Sequence, residues 1–129
     1  MTRAPLKSFN AWLACGWLLL IAIAVGSLMP MPHAAIDIPQ GDKVQHLLGY
    51  GALGFWFAQL YPGTRDRWLC LALLCAFGVS IEIAQGTLTA YRAADFNDVL
   101  ANTGGLILGI GLAHLWNPLR QIDALRQKS

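Results

Sequence analysis

A chain of 129 residues is short for two domains, yet only 12% of its positions are charged while 56% are hydrophobic. A soluble protein this small exposes too much surface for that ratio, so an ordinary water-soluble domain is excluded. Nine basic against seven acidic side chains leave a net charge of +2, and the basic ones form no patch of the kind that nucleic acid requires.

The first apolar run, 10–29, contains no charge and is long enough for one helical crossing of a bilayer. Arg3 and Lys7 precede it, as in a secretory signal peptide. The run is long for such a signal, however, and no small residue lies three positions before a cut at Ala34 or Ala35, so an uncleaved helix is expected. Pro30 and Pro32 stop it. A second run, 44–61, ends at Pro62-Gly63, a turn signal. The third, 68–89, is interrupted by Glu82 and Gln85, and the fourth, 97–116, closes at Asn117-Pro118 before a polar tail, 117–129. The expected architecture is all-α: one domain over 1–129, a four-helix transmembrane bundle. Cys15, Cys70 and Cys75 all sit inside apolar runs and read as small hydrophobes, not as a disulfide framework.

Seven of the nine lysines and arginines fall in the N-terminal arm, the second loop and the tail, which share one face if there are four crossings. That face is expected to be cytoplasmic, with both termini inside a plasma or inner membrane. Lys43 and Arg92 are the exceptions. They lie on the opposite face, together with five of the seven acids: Asp37, Asp42, Glu82, Asp95 and Asp98.

There the polar residues acquire a pattern. Asp42, His46 and Tyr50 are spaced i, i+4, i+8 on one helix face. Glu82 and Gln85 follow at i, i+3 near the outer end of the third helix, and Asp95, Asp98 and Asn102 at i, i+3, i+7 on the fourth. An ionisable group in a membrane helix costs a few kcal/mol and usually faces a bundle interior or a wet cavity. Three helices therefore bring titratable groups to one side of the bilayer, and Glu82 needs a partner among Lys43, Arg92 and His46. Ala101, Gly105, Gly109 and Ala113 form a separate small-residue stripe for close helix packing, either within the chain or between copies as a homo-oligomer.

The blocks "DKVQHLLGY", "EIAQ" and "RAADFNDVLANTGG", in this order, resemble the VanZ-like family of small integral membrane proteins, over about residues 10–116. That family carries Asp-Lys-x-x-His-x-x-x-Tyr, Glu-x-x-Gln and Arg-x-x-Asp-x-x-Asp-x-x-x-Asn-x-x-Gly, which fall here on Asp42, Lys43, His46 and Tyr50, on Glu82 and Gln85, and on Arg92, Asp95, Asp98, Asn102 and Gly105. The resemblance implies a four-helix protein of the bacterial cell envelope, and the family's name comes from a member associated with resistance to a glycopeptide antibiotic. It does not supply a reaction.

From the residues themselves, three functions compete. In the first, the pocket binds or acts on an anionic envelope lipid or lipid-linked precursor from the periplasmic or exterior side. Glu82 or Asp98 would be the base and His46 its acid/base partner; Lys43 and Arg92 would clamp a phosphate. Tyr50, Gln85 and Asn102 would orient the ligand, with Asp42 and Asp95 completing the binding set. In the second, the chain is a non-catalytic binder or scaffold. In the third, His46 and Glu82 relay protons in a small transporter, although no inverted repeat is visible. No cofactor is expected. A metal could use His46, Glu82, Asp95 and Asp98, but no His-Glu-x-x-His or cysteine pair is present and Lys43 and Arg92 oppose a cation.

Overall fold

The computed structural model describes residues 1–30, 41–90 and 93–126; the expectations placed on Pro32, Asp37 and Arg92 lie outside them. Among the described residues there are five helices and no strand: α1 (Phe9–Leu28), α2 (Gly41–Leu60), α3 (Thr64–Leu88), α4 (Phe96–Leu115) and α5 (Pro118–Arg126). Three of them, α1, α3 and α4, are long and apolar enough to cross a membrane. The 20-residue α2 is as long as α1 and α4, but Asp42, Lys43, Gln45, His46 and Gln59 dilute it. It is the innermost helix, packed on α1, α3 and most extensively on α4.

Two helices begin about a turn earlier than their apolar runs. α2 starts at Gly41 and α3 at Thr64, each with an acid in its first turn, Asp42 and Asp66 respectively. A negative charge there suits the helix dipole, so these polar residues extend the helices. The tail required a correction: it was expected to be merely polar, but 118–126 is helical. Asn117 Oδ1 accepts the Arg120 N–H at 3.1 Å, Pro118 takes the first helical position, and buried Gln59 accepts the Leu119 N–H at 3.2 Å. Asn-Pro was read as a stop for α4; it also starts α5.

The small-residue stripe seats α4 on α2. A β-carbon on Gly105 would strike the Leu47 carbonyl and one on Gly109 the Gly51 carbonyl, while across the same seam a β-carbon on Gly54 would lie 2.6 Å from the Leu106 carbonyl. Only glycine allows backbones this close. Gly16 does the same for α1, receiving Trp56 of α2 at 2.9 Å from its missing β-carbon, and Trp56 Nε1 donates to the Trp12 carbonyl at 2.9 Å.

One end of the molecule is laced by the N-terminal arm. The Thr2 N–H donates to Asp66 at 2.8 Å, the Ala4 N–H to the Leu60 carbonyl at 2.7 Å, and the Lys7 and Ser8 N–H groups to Asp123 at 2.8 and 3.3 Å. These contacts gather the arm, the α2–α3 turn and α5, with their basic residues, at one end.

Candidate functional site

At the opposite end, α2, α3 and α4 each lower polar side chains into the space between them. From α2, Lys43 Nζ reaches Asp95 at 2.8 Å and Asp98 at 3.2 Å, with Asp42 on the rim at 3.8 Å. Asp95 caps α4, its carboxylate accepting the Asn97 N–H at 2.8 Å. The Lys43 ammonium, aided by that N–H, holds the Asp95 carboxyl below the usual carboxylate range.

One turn deeper on α2, His46 is buried between α3 and α4. Its Nδ1 lies 2.9 Å from Asn102 Oδ1. An amide oxygen only accepts, so Nδ1 carries the proton and donates. The other nitrogen, Nε2, then faces Asp98 Oδ2 at 3.6 Å. Glu82 of α3, 3% exposed, sets Oε1 4.0 Å from His46 Nδ1 and accepts the Asp95 N–H on Oε2 at 3.3 Å. Among the partners expected for Glu82, His46 is beside it, whereas Lys43 bonds Asp95 and Asp98.

Below this layer lie Tyr50, 1% exposed, and Asn102, 2% exposed. The Tyr50 hydroxyl and Asn102 Nδ2 are buried without a hydrogen-bond partner among the described residues. Both side chains come together over Gly78, whose missing β-carbon would meet Tyr50 at 3.1 Å and Asn102 Nδ2 at 3.3 Å. Gly78 was not foreseen as part of the site. Its position, one turn before Glu82 on α3, is the signal that would have found it. Gln85 is buried but turned aside: its Nε2 donates to the Ser27 carbonyl at 2.7 Å, pinning α3 to the end of α1. A cavity of about 190 Å³ lies between α1 and α2, bordered by Ile23, Gly26 and Ser27 on one side and His46, Gly49 and Tyr50 on the other.

One ligand atom each from His46, Glu82 and Asp98 can be chosen so that all lie within 4.8 Å of one another, the arrangement best suited to a metal ion among the described residues.

Between this cluster and the basic end the helix surfaces are apolar. On α1, Trp17, Ile21 and Val25 point outward at helical spacing; so do Trp68, Leu69 and Leu73 on α3, and Leu108, Leu112 and Leu115 on α4. Exposed leucines and tryptophans along the helices, around an interior that holds histidine, carboxylates and amides beside its apolar core, depart from the soluble pattern. Such a molecule is an integral membrane protein with a polar interior. The chain belongs to the VanZ/LLP1 family, whose model matches residues 5–117. No curated protein and no solved structure was found to match it.

Proposed function

We propose that the chain is a four-helix transmembrane bundle with both termini cytoplasmic, in the plasma or inner membrane. Near the outer face, its pocket binds or acts on an anionic envelope lipid or lipid-linked precursor. The observation that carries this reading is the meeting of His46, Glu82, Asp98 and Lys43 from three helices at the end of the molecule away from the basic arm. The cavity between α1 and α2 supports it, because it gives a ligand a lateral approach to His46 from the lipid.

In the catalytic form of this reading, the ligand's phosphate lies against Lys43, with Arg92 as a second clamp. Glu82 or Asp98 takes the proton of an attacking hydroxyl or water as its oxygen bonds phosphorus. The phosphoester bond to the departing group breaks, and His46, entering the step protonated on both ring nitrogens, delivers its Nε2 proton to that leaving oxygen. Tyr50 and Asn102 have donors to spare for orienting the headgroup. Any bearing on glycopeptide susceptibility would follow from changed envelope lipids.

One observation favours the non-catalytic alternative: Lys43 already spends its charge on Asp95 and Asp98, so a scaffold that holds a headgroup without turnover also fits. Mass spectrometry of envelope lipids and lipid-linked precursors, in deletion, wild-type and Glu82→Gln strains, tests the two. A difference common to the deletion and Glu82→Gln strains supports catalysis. Wild-type lipids in the Glu82→Gln strain, with full-length protein in the membrane, overturn the catalytic role.

A further inference from the structure

We infer that His46, Glu82 and Asp98 form a binding site for a divalent transition-metal ion. The site uses the same three side chains that the lipid chemistry casts as base and acid, so with an ion bound His46 is a ligand and not the proton donor; the site does not depend on that chemistry being right.

The first ground is a conflict of acceptors. His46 Nδ1 donates to Asn102 Oδ1 at 2.9 Å, which leaves a lone pair on Nε2 if the ring is neutral. That lone pair faces Asp98 Oδ2 at 3.6 Å. Two acceptors hold this position only with something positive between or beside them, a proton or a cation. Fixing one imidazole nitrogen by a hydrogen bond while the other is presented outward is how a metal-binding histidine is usually oriented.

Charge separates the two choices. Asp42, Glu82, Asp95 and Asp98 outnumber Lys43, and even when Arg92 of the adjoining connection is added the acids remain in excess by two. An imidazolium offsets half of that excess, while Asp42 and Asp95, with side chains 43% and 39% exposed, leave part of theirs to solvent. A divalent ion offsets all of it, in a place where His46, Glu82 and Asp98 are all buried and uncompensated charge is expensive. Lys43 does not block the ion, because it engages Oδ1 of Asp98 while Oδ2 is the oxygen turned to His46.

Distance allows it. Tetrahedral zinc–ligand bonds of ~2.0–2.2 Å set ligand atoms roughly 3.4 Å apart. Asp98 Oδ2 is already 3.6 Å from Nε2 and the three ligand atoms lie within 4.8 Å of one another, so closing on an ion takes rotation chiefly of Glu82, which now sits 4.0 Å from Nδ1. Imidazole with two carboxylates suits zinc, manganese or iron better than magnesium or calcium.

A second, independent observation points to a bound group here. The Tyr50 hydroxyl and Asn102 Nδ2 are at least nine-tenths buried and have no hydrogen-bond partner among the described residues. Asn102 is tied to His46 through its oxygen, and Tyr50 meets Asn102 Nδ2 over Gly78, one turn from Glu82 on α3. Three protein ligands leave at least one coordination position open. An oxygen there, from water or from a lipid phosphate, is what these two donors can hold.

The test uses the full chain in detergent, purified through a tag without histidine, stripped with EDTA and titrated with Zn²⁺ by calorimetry. The expected result is one ion per chain. Binding should weaken about tenfold or more in Asn102→Ala, by the usual effect of an outer-shell partner, and further in His46→Gln and Glu82→Gln. His114→Ala, at the far end beside Arg67, should bind like wild type. Because a ligand variant could misfold, Co²⁺ is added to wild type in parallel, where visible ligand-field bands of a low-symmetry nitrogen–oxygen site are expected. Substoichiometric zinc in wild type, affinity unchanged in His46→Gln, or a cobalt spectrum identical to the aqueous ion overturns the site. Zinc binding with unaltered lipids in the Glu82→Gln strain keeps the site and removes the catalytic reading; altered lipids without zinc binding do the reverse.

Discussion

Gly109 of α4 presses on the carbonyl of Gly51 of α2, with no room between the two backbones for a β-carbon. Adding one must push the helices apart along the seam that positions Asp98 and Asn102 against His46. Gly109→Ala should therefore cost about 1–3 kcal/mol or more, the usual range for overpacking, and here with backbone on the far side. Gly111→Ala, where a β-carbon meets nothing within 4 Å, should be neutral or gain a few tenths through helix propensity. Thermal unfolding in detergent compares the two; equal melting temperatures would mean the seam is looser than described.

Lys43 is the only described cation among the acids at this end. Lys43→Met should destabilise the fold, because Asp98 is left buried without its countercharge. Adding Asp98→Asn should return part of the loss. Chemical unfolding of the single and double variants measures the coupling, and strictly additive losses would show that the two side chains do not interact.

Acid should loosen the same corner. The Asp95 carboxyl is held below its ordinary value of 3.8, chiefly by Lys43, so the folded state binds its proton later than the unfolded state does. Its stabilising effect is complete above the unfolded value and is lost as pH falls through the depressed folded one. Melting temperature should fall below about pH 3.8, and Asp95→Asn should flatten that part of the profile. A profile unchanged by the substitution would assign the acid sensitivity elsewhere.

At the opposite end, buried Asp123 accepts the Lys7 and Ser8 amides. Asp123→Ala leaves those donors unsatisfied at about 1–3 kcal/mol. Hydrogen exchange at Lys7 and Ser8 should accelerate while His46 and its neighbours keep their protection. Unchanged exchange at both amides would remove Asp123 as the anchor.

The pocket was legible because helical spacing is strict. Once Asp42, His46 and Tyr50 are seen on one face, and Asp98 and Asn102 on another, burial in lipid forces the two faces together. The pairing inside the pocket was less legible, since which acid Lys43 takes depends on helix rotation and separation, not on spacing. Gln85 shows the limit: it sits one turn from Glu82, yet it serves the Ser27 carbonyl. His46, Glu82 and Asp98 come from three helices and form no local motif, so their grouping was read from shared depth, with Asp95 counted beside them; the structure instead places Asp95 on Lys43. The tail was misread because its apolar positions are few. Asn117-Pro118 ahead of Leu119 and Ile122 is a helix start, and Asp123 is the lone acid in a basic segment.

The arm's anchorage has a consequence for synthesis. Lys7 and Ser8 must find a carboxylate that lies 116 and 115 residues further on. At the 5–20 residues per second of a working ribosome, α1 waits roughly 6 to 23 seconds before its latch is even translated. Until Asp123 is made, the leading amides of the first helix have no carboxylate to meet, so sealing of that end must follow synthesis of all four long helices.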